Sequence, residues 1–370
     1  MTCLNRRQLR ILPLAERHSK LDIEHIAVFP DAEPPAISPE VTAQVKHLAA
    51  RIRTARAGNK PVMLTFGAHL IKNGLAPLMI RLLENGWVTH VATNGAGSIH
   101  DWEFAYQRYS TEDVRANTAQ GQFGTWEETG RYVNLAVAVG GPRGLGYGAS
   151  VGKMIAENGL EIPSRKALRW MVTEHAGKPS PTEILGALAD LLYLVVTFDL
   201  PAGWLPLAHS HARFSIQAAA HRLGIPFTVH PGIGYDIIYT HPMNCGGAIG
   251  RGAVTDFLTY AGSVSQLSGG VHLTIGSAIM APMIFEKSLS MANNLALQHG
   301  PALSDYYLVV NDIQPGGNWD WRTGEPPMDH PAYYLRFCKT FYRMGGELDY
   351  IGLDNRAFLL ALYHELQNAK

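Results

Sequence analysis

Small residues follow two apolar segments of the sequence, at points where a strand would give way to a helix. Segment 61–103 reads PVMLTFGAHLIKNGLAPLMIRLLENGWVTHVATNGAGSIHDWE, with glycine-bearing turns after VMLTF and after HVAT. Such turns let the main chain approach a bound group closely, although tight turning alone would also require glycine. We interpret the two turns as a site for a nucleotide-like molecule. The residues assigned to it are Gly67, Ala68, Asn73, Thr93, Asn94, Gly95, Gly97 and Ser98.

Two aspartates stand in turns where a carboxylate can meet an organic cation. Asp236 ends the run GIGYD, and Asp320 lies between Trp319 and Trp321. A carboxylate flanked by aromatic rings suits an amine or a guanidine, because charge pairing and cation–π attraction act together. Each residue is also compatible with a plain turn carboxylate. Together they predict a cationic small-molecule substrate.

Histidines and cysteines suggest further chemistry that their spacing does not support. The pair at 209–211 (HSH) stands without HExxH or CxxC, so no metal site is predicted. His230 and His241 flank Asp236 and are expected to line its pocket. Cys245 stands near His241, but a nucleophile also needs an oriented base, for which the sequence offers no set.

The segments around these residues alternate between strand and helix patterns. Segment 41–59 predicts a helix that ends at glycine, and 75–85 predicts a second helix with one apolar face between strands 62–66 and 90–93. Later segments continue the alternation. The pattern predicts an α/β, doubly wound, mostly parallel sheet with helices on both faces, a Rossmann-like architecture that binds ligands at the carboxyl ends of its strands.

Composition sets the outer limits of this interpretation. We predict an arm over 1–40 and one α/β domain over 41–370, with a Gly-rich and aromatic insertion at about 104–150. Lys plus Arg number 31 and Asp plus Glu number 31, so nucleic acid is not an expected partner. Three separated cysteines fit a reducing compartment, and we expect the cytoplasm. With no uncharged apolar run of about 18 residues, membrane insertion is not expected.

Four collinear segments resemble deoxyhypusine synthases. The first is segment 61–103, which resembles the cofactor-binding region of that family. The second is AAHRLGIPFTVHPGIGYDIIYTH, similar to a strand that leads through Pro to a Gly-Asp-hydrophobic run and a His. GGVHLTIGSA and YLVVNDIQPGGNWDW complete the series. The matches cover about 61–103 and 210–322 of the chain.

The resemblance implies a fold that binds NAD and assembles as a homo-oligomer, usually a tetramer. It also implies roles for single residues. Asp101 stands where an acidic residue accepts a ribose hydroxyl, and as an early helical carboxylate it also suits the helix dipole. His272 matches a histidine on the substrate side and would shuttle a proton, although a structural histidine is the alternative. Asp236, His241 and Asp320 match the substrate side of the family site.

Two departures separate this chain from the family pattern. The loop before Asp236 is about three residues shorter and lacks an Asp-Gly-Ser run, and Arg336 stands near the position of the catalytic lysine. Because a guanidinium cannot form an imine, Lys339, one helical turn later, is the candidate nucleophile. The sequence therefore predicts an NAD-dependent transferase or oxidoreductase for an amine or guanidine, distinct from authentic deoxyhypusine synthase. The alternatives are a non-catalytic nucleotide- or metabolite-binding protein and an NAD-consuming, deacetylase-like hydrolase.

Overall fold

Two compact units make up the chain in a computed structural model that describes residues 3–178, 183–314, 316 and 318–368. Unit 1 comprises Met1–His25, Ser98–Arg222 and Thr228–Asp256. Unit 2 comprises Ile26–Gly97, Leu223–Phe227 and Phe257–Lys370. The sequence predicted one domain from residue 41 onward and a separate arm before it. The first 25 residues belong to unit 1 and residues 41–370 contribute to both units, while the arm and the single domain stay a prediction.

The secondary structure is mixed throughout the described chain. The strands are β1 (Ser19–Asp22), β2 (Val62–Phe66), β3 (His90–Asn94), β4 (Tyr109–Glu112), β5 (Gly159–Ile162), β6 (Gly203–Pro206), β7 (Phe227–His230), β8 (Val271–Ile275), β9 (Tyr307–Asp312) and β10 (Glu347–Gly352). The α-helices are α1 (Ile23–Ile26), α2 (Pro39–Ala57), α3 (Ala68–Lys72), α4 (Ala76–Glu84), α5 (Gly95–Gln107), α6 (Val114–Ala119), α7 (Glu127–Gly140), α8 (Tyr147–Glu157), α9 (Arg165–Ala176), α10 (Glu183–Thr197), α11 (Ile216–Leu223), α12 (Gly246–Val264), α13 (Met280–Ala296), α14 (Arg336–Arg343) and α15 (Asn355–Gln367).

The main sheet confirms the predicted fold class. Within the described residues its strand order is β10-β9-β8-β2-β3-β7. The pairs β10–β9, β9–β8, β8–β2 and β2–β3 are all parallel. Because parallel neighbours need a crossover connection, helices follow the strands and cover both faces. Helices α2 and α15 contact strands of the sheet, as do α13 and α14. The result is a Rossmann-like, doubly wound α/β arrangement.

Local sequence explains the first βαβ unit. All five side chains of β2 are buried, as expected for a central parallel strand. Helix α4 buries Leu78, Met79, Leu82 and Leu83, the apolar face that the 3.6-residue period predicted. Gly86 follows with φ +70°, a conformation that stops the helix and that glycine adopts without strain. These elements bring the turns after β2 and β3 to the carboxyl edge of the sheet.

Unit 1 contains the segment that the sequence suggested as an insertion. Residues 104–150 form β4, α6, α7 and the start of α8 instead of extended loops. Helix α7 buries an unbroken run of side chains from Val133 to Val139, so it is part of a core. Arg17 donates to both carboxylate oxygens of buried Glu103, at 2.7 and 2.8 Å, and so fixes the predicted arm to α5. Because the segment is rich in glycine, the sequence did not indicate that it contains helix α7 of the core.

Candidate functional site

Asp236 lies in unit 1 on the loop after β7, and its carboxylate is buried. The residue is 5% exposed and accepts the main-chain N–H of Gly232 at 2.7 Å. Burial raises the pKa of Asp236 to about 6, and the Gly232 N–H opposes that rise. Among the ion pairs and hydrogen bonds of the described residues, none brings a lysine, arginine or histidine to this carboxylate. A buried carboxylate without a counter-ion is costly, so this position is prepared for a cation.

The charge of Asp236 acts on two tyrosines of unit 1, and the sequence analysis did not select either of them. Tyr147 is 0% exposed, and the hydroxyls of Tyr147 and Tyr239 are both buried without a hydrogen-bond partner among the described residues. Burial, followed by the charge of Asp236, raises the pKa of Tyr147 well above its ordinary value, although the Ser98 hydroxyl lies near enough to oppose the rise. The same two causes raise the pKa of Tyr239 to about 12. Both tyrosines are therefore neutral phenols at ordinary pH.

Asp256 fixes the backbone of Tyr147. Its Oδ2 accepts the N–H groups of Gly148 at 2.9 Å and Val229 at 2.7 Å, at the start of α8 and within β7. A Cβ on Gly146 would lie 1.8 Å from Asp256 Oδ1, so only glycine fits there. Burial raises the pKa of Asp256 to about 7 against these hydrogen bonds. Asp256 is therefore a helix cap, and Tyr147 follows directly from it.

The segment after Asp236 is held by helix α7 and by the N-terminal segment. Asn134 donates to the carbonyl of Ile238 at 3.0 Å, and Arg6 donates to the carbonyl of Tyr239 at 2.7 Å. His241 is occupied in the same framework: its Nε2 lies 3.0 Å from Glu127 Oε2, and its Nδ1 accepts the Met243 N–H. The prediction that His241 contacts substrate therefore needs correction, because both ring nitrogens already have partners.

The carboxyl edge of the unit 2 sheet carries the small residues predicted to bind a nucleotide. Gly67 follows β2 and donates its N–H to the Ile275 carbonyl at 3.1 Å. A Cβ at Gly67 would lie 2.3 Å from the carbonyl oxygen of Gly276, which follows β8. The two strand ends are therefore too close for a larger residue. Ala68 begins α3, and the Asn73 amide donates to Asn355 Oδ1 at 3.1 Å, so Asn73 is already engaged.

Contacts within the turn after β3, and with the neighbouring strand β2, explain its residue types. Thr93 Oγ1 donates to the Phe66 carbonyl at 3.0 Å, and Asn94 Oδ1 accepts the Gly97 N–H at 2.9 Å. A Cβ at Gly97 would lie 2.1 Å from Thr93 Oγ1, so glycine is required for helix-to-strand packing. Gly95 is the first residue of α5. The turn has the predicted strand-to-helix geometry.

Ser98 and Asp101, both in unit 1, are not free to contact a ligand. Ser98 Oγ donates to Gln217 Oε1 at 2.7 Å. Asp101 is 0% exposed, and its carboxylate accepts from the Ser215 hydroxyl at 2.6 Å and the Ile216 N–H at 2.8 Å. Burial raises the pKa of Asp101. The ribose-binding role predicted for Asp101 is corrected to a cap of α11.

His272 lies in the core of unit 2, which also requires a correction. It is 0% exposed on β8, and its Nε2 is 2.7 Å from the Tyr260 hydroxyl. Its ring packs against Phe285 and Phe341, with centroids 4.6 and 5.4 Å away. Burial lowers the pKa of His272 to about 3, so the ring stays neutral at ordinary pH. A proton shuttle needs access and a pKa near the working pH, and this histidine has neither.

Asp320 lines an acidic groove of about 910 Å³ in unit 2. Glu40, Glu347 and Asp349 line the same groove. Asp320 is exposed, and its Oδ1 accepts the Arg322 N–H at 3.0 Å. Arg322 and His47 line the groove as well, and cation binding at Asp320 stays a prediction.

The two flanking tryptophans have different surroundings from those predicted. Trp319 donates its Nε1 hydrogen to the Gly324 carbonyl at 2.8 Å and places its ring 5.0 Å from that of His330. Trp321 is only 2% exposed and packs near Tyr342. Trp321 is therefore mostly buried, and both tryptophans line the groove together with Asp320. Trp319 remains a half-buried wall of the groove.

A potential metal-ligating set within this groove escaped the sequence analysis. Side-chain ligand atoms of His47, Glu347 and Asp349 lie within 4.8 Å of one another. Arg51 donates to Glu347 Oε2 at 2.9 Å, and Arg322 lies 2.6 Å from Asp349 Oδ1. The guanidinium groups already neutralise both carboxylates, so the set is an ion-pair network as it stands. About 300 residues separate His47 from Glu347, and no local motif could reveal the cluster.

Lys339 lies on α14 with its Nζ 3.6 Å from the centroid of the Tyr333 ring. This cation–π contact engages the amine that the sequence predicts as the imine-forming nucleophile. Two further candidates have ordinary structural roles. His209 accepts from Trp102 Nε1 at 3.1 Å, and burial lowers the pKa of this histidine to about 4. Burial raises the pKa of Cys245, which makes it a weak nucleophile.

Among the comparisons with known proteins, only the comparison with solved structures found similar proteins. No family model matches the chain, and no curated protein matches it. The apo structure of ArgZ, an arginine dihydrolase from the ornithine–ammonia cycle in cyanobacteria, is 14% identical with a TM-score of 0.44, over 91% of this chain and 34% of that one. AgrE in complex with ornithine and NAD+ is 13% identical with a TM-score of 0.43, over 90% and 34% of the respective chains.

A third similar structure is a conserved LOR/SDH protein of Methanococcus maripaludis S2. It is 14% identical with a TM-score of 0.40, over 92% of this chain and 74% of that one. The chain thus spans about one third of the length of ArgZ and AgrE. Similarity at this level assigns no ligand and no residue role to the present chain. Among the helices of the described residues, none has the length and apolar character to span a bilayer.

Proposed function

We propose that the protein is an NAD-dependent enzyme that oxidises a small amine- or guanidine-containing molecule. The observation that carries the proposal is Asp236, a buried carboxylate with one main-chain hydrogen bond. No described basic side chain neutralises it. Desolvating an unpaired charge costs several kcal/mol, which a bound organic cation would offset. Asp236 is therefore the substrate anchor of this proposal.

NAD is proposed for the carboxyl edge of the unit 2 sheet. Gly67 and Gly276 meet there, and the backbone of Gly276 fills the position that a Cβ of Gly67 would take. Thr93, Asn94 and Gly95 complete the next turn along that edge. Open α/β sheets bind ligands at this edge, and small residues allow the close approach that a pyrophosphate needs. The resemblance of this segment to deoxyhypusine synthases favours NAD over other nucleotides.

The proposed chemistry is oxidation at the carbon that bears nitrogen. When bound, NAD+ would accept the hydride of that C–H bond, while the nitrogen lone pair forms a C=N bond. Before this can occur, a protonated amine must lose a proton, and the Asp236 carboxylate can accept it. A pKa near 6 leaves Asp236 ionised, and hence able to hold a cation, at neutral pH. Water can then hydrolyse the C=N product.

Further features of the proposal follow from the family resemblance. A deoxyhypusine-synthase-like enzyme would be a homo-oligomer, and Asp320 in the groove of unit 2 would hold a cation of its own. A covalent imine would use Lys339, whose Nζ lies over the Tyr333 ring and would have to leave it to reach a substrate.

A second candidate is a non-catalytic protein that binds a nucleotide or metabolite. The observation that favours it is His272, whose burial at 0% exposure removes the proton shuttle expected of the family. Such a protein would bind NAD and an amine without turnover. Nicotinamide release would instead indicate an NAD-consuming enzyme.

Thermal unfolding with NAD+ or NADH separates these functions at their first step. A ligand at one hundred times its dissociation constant stabilises by about 2.7 kcal/mol, so NAD+ at millimolar concentration should raise the unfolding temperature by several degrees. The matched nucleotide control is AMP, which lacks the nicotinamide half. If neither NAD+ nor NADH shifts the unfolding temperature, the proposed cofactor is wrong. Absorbance of NADH and chromatography of nicotinamide then distinguish oxidation from NAD consumption.

A further inference from the structure

The three potential metal ligands of the unit 2 groove lie on regular elements. Glu347 and Asp349 are two residues apart on β10, so their side chains lie on the same face of that strand. His47 lies on α2, which contacts β10. Ligand atoms of the three side chains lie within 4.8 Å of one another, and all three residues line the groove. A dissolved ion can therefore reach the set through the groove.

The shortest distance in the set fits a tetrahedral metal centre. His47 Nε2 and Glu347 Oε1 are 3.2 Å apart. Zinc bonds of about 2.0–2.2 Å at tetrahedral angles place two ligand atoms about 3.4 Å apart. The longer distances involve Asp349, whose carboxylate has to approach the pair by about 1 Å to become the third ligand. Three protein ligands leave a fourth position, which water can occupy from the groove.

Neighbouring side chains already orient the three ligands. Arg51 donates to Glu347 Oε2 at 2.9 Å, which leaves Oε1 toward His47. The Tyr307 hydroxyl donates to Asp349 Oδ2 at 2.5 Å, and the Tyr307 ring lies edge-on to the His47 ring with the centroids 5.2 Å apart. Outer contacts of this kind fix the orientation of ligands in metal sites. The arrangement is therefore largely formed before an ion arrives.

Arg322 is the group that a metal ion must displace from this set. Its guanidinium lies 2.6 Å from Asp349 Oδ1 and 2.7 Å from Oδ2. The Arg322 side chain is 52% exposed, and ion pairs with exposed partners contribute little to stability. A divalent ion brings twice the charge and forms direct bonds to the carboxylate, so it can replace the guanidinium. Glu40 lines the same groove and can pair with Arg322 once it has moved.

We propose that His47, Glu347 and Asp349 bind a divalent transition-metal ion, and that Zn²⁺ suits the set best. An imidazole nitrogen with two carboxylates favours zinc, whereas magnesium prefers oxygen ligands in near-octahedral geometry. The ion would join α2 to β10 and so stabilise unit 2, because His47 and Glu347 are 300 residues apart in the sequence. This site needs neither NAD nor an amine, and it stands or fails independently of the proposed function.

Calorimetric titration of the full-length protein with zinc chloride, after removal of metal with EDTA, tests the proposal. His47→Gln and Glu347→Gln should each weaken Zn²⁺ binding by about tenfold or more. Arg322→Gln should tighten it, because Asp349 then loses its competing guanidinium. Magnesium chloride should not compete with Zn²⁺ at equal concentration. Absence of Zn²⁺ binding to the wild type, or unchanged affinity in both His47→Gln and Glu347→Gln, would overturn the proposal.

A matched histidine variant separates this set from the other histidines and cysteines of the chain. His299→Gln should change the Zn²⁺ affinity less than twofold, because His299 is exposed and does not line the groove. Without metal, His47→Gln should stay folded, since the His47 side chain is 42% exposed. Saturating Zn²⁺ should raise the unfolding temperature of the wild type and of His299→Gln, but not that of His47→Gln. An equal rise in all three proteins would place the ion elsewhere, contrary to the proposal.

Discussion

The main-chain N–H of Gly232 donates to Asp236 Oδ2 across 2.7 Å, and it is the one hydrogen bond to this carboxylate within the described chain. A single neutral donor cannot compensate for the burial of a full charge. The pKa of Asp236 therefore rises to about 6. The stability of the protein is therefore linked to ligand binding. The unpaired carboxylate of Asp236 destabilises the free protein, and the same carboxylate attracts a cation.

Replacing Asp236 with Asn should stabilise the free protein. The folded protein holds the Asp236 proton more tightly than the unfolded chain, whose carboxyl has its ordinary pKa of 3.8. The contribution of Asp236 to stability therefore decreases as pH rises from about 4 to about 6 and stays low above that range. At neutral pH, Asp236→Asn should add about 1–3 kcal/mol to the free energy of unfolding, as measured by urea denaturation. Asp305→Asn is the matched control, because that side chain is 84% exposed. A destabilised Asp236→Asn protein would show that the charge already has a partner.

Amine binding should depend on pH through the same carboxyl group. Butylammonium remains protonated across the range from about pH 5 to about pH 8, so the protein determines the dependence. The affinity should rise about tenfold per pH unit below about 6 and level off above it. Burial raises the pKa of Asp256 to about 7, so this second carboxyl group also ionises in the range, and the Asp236→Asn variant serves as the control that retains Asp256 alone. Calorimetry at four pH values provides the measurement, and a flat profile in the wild type would exclude Asp236 as the anchor.

Gly67→Ala should damage the carboxyl edge of unit 2. The added Cβ would lie 2.3 Å from the Gly276 carbonyl oxygen, and main-chain atoms on both sides must move. We expect a loss of about 1–3 kcal/mol in unfolding free energy and of the thermal shift produced by NAD+. Gly262→Ala is the control, because nothing lies within 4 Å of its added Cβ. An NAD+ response in Gly67→Ala equal to that of the wild type would place the cofactor elsewhere.

Lys339→Arg tests the covalent route. Arginine keeps the positive charge over the Tyr333 ring, which lies 3.6 Å from Nζ in the wild type, but it cannot form an imine. We expect amine-dependent NADH formation to continue at a rate within about threefold of the wild type. Complete loss of turnover with unchanged unfolding temperature would instead establish Lys339 as a nucleophile.

The sequence predicted best the elements with local periodicity. Strand β2, helix α4 and strand β3 could be predicted from apolar runs and a 3.6-residue pattern. Their order along the chain also predicted the parallel sheet. Helix α7 was not predicted, because glycines surround it and its burial depends on residues outside the segment. Contacts between residues that are far apart in the sequence determine which segments are buried, and local patterns do not reveal these contacts.

The same distinction applies to the site. The sequence suggested that Asp101 could bind a ribose hydroxyl. In the structure its carboxylate accepts a hydrogen bond from Ser215, which is 114 residues away in the sequence. Asp236 was selected for its charge and position, whereas its burial at 5% exposure is a property of the folded chain. Tyr147 stands in a Gly-rich run without any motif, and only the packing reveals an unpaired hydroxyl.

The measurement that tests the account most directly is NADH formation from NAD+ by the purified wild-type protein with a panel of primary amines and guanidines. The account predicts that at least one primary amine produces NADH and that Asp236→Asn lowers kcat/KM for it by at least a hundredfold while the protein stays folded. NADH formation that is undiminished in Asp236→Asn, or its absence with every compound despite saturating NAD+, would contradict the account.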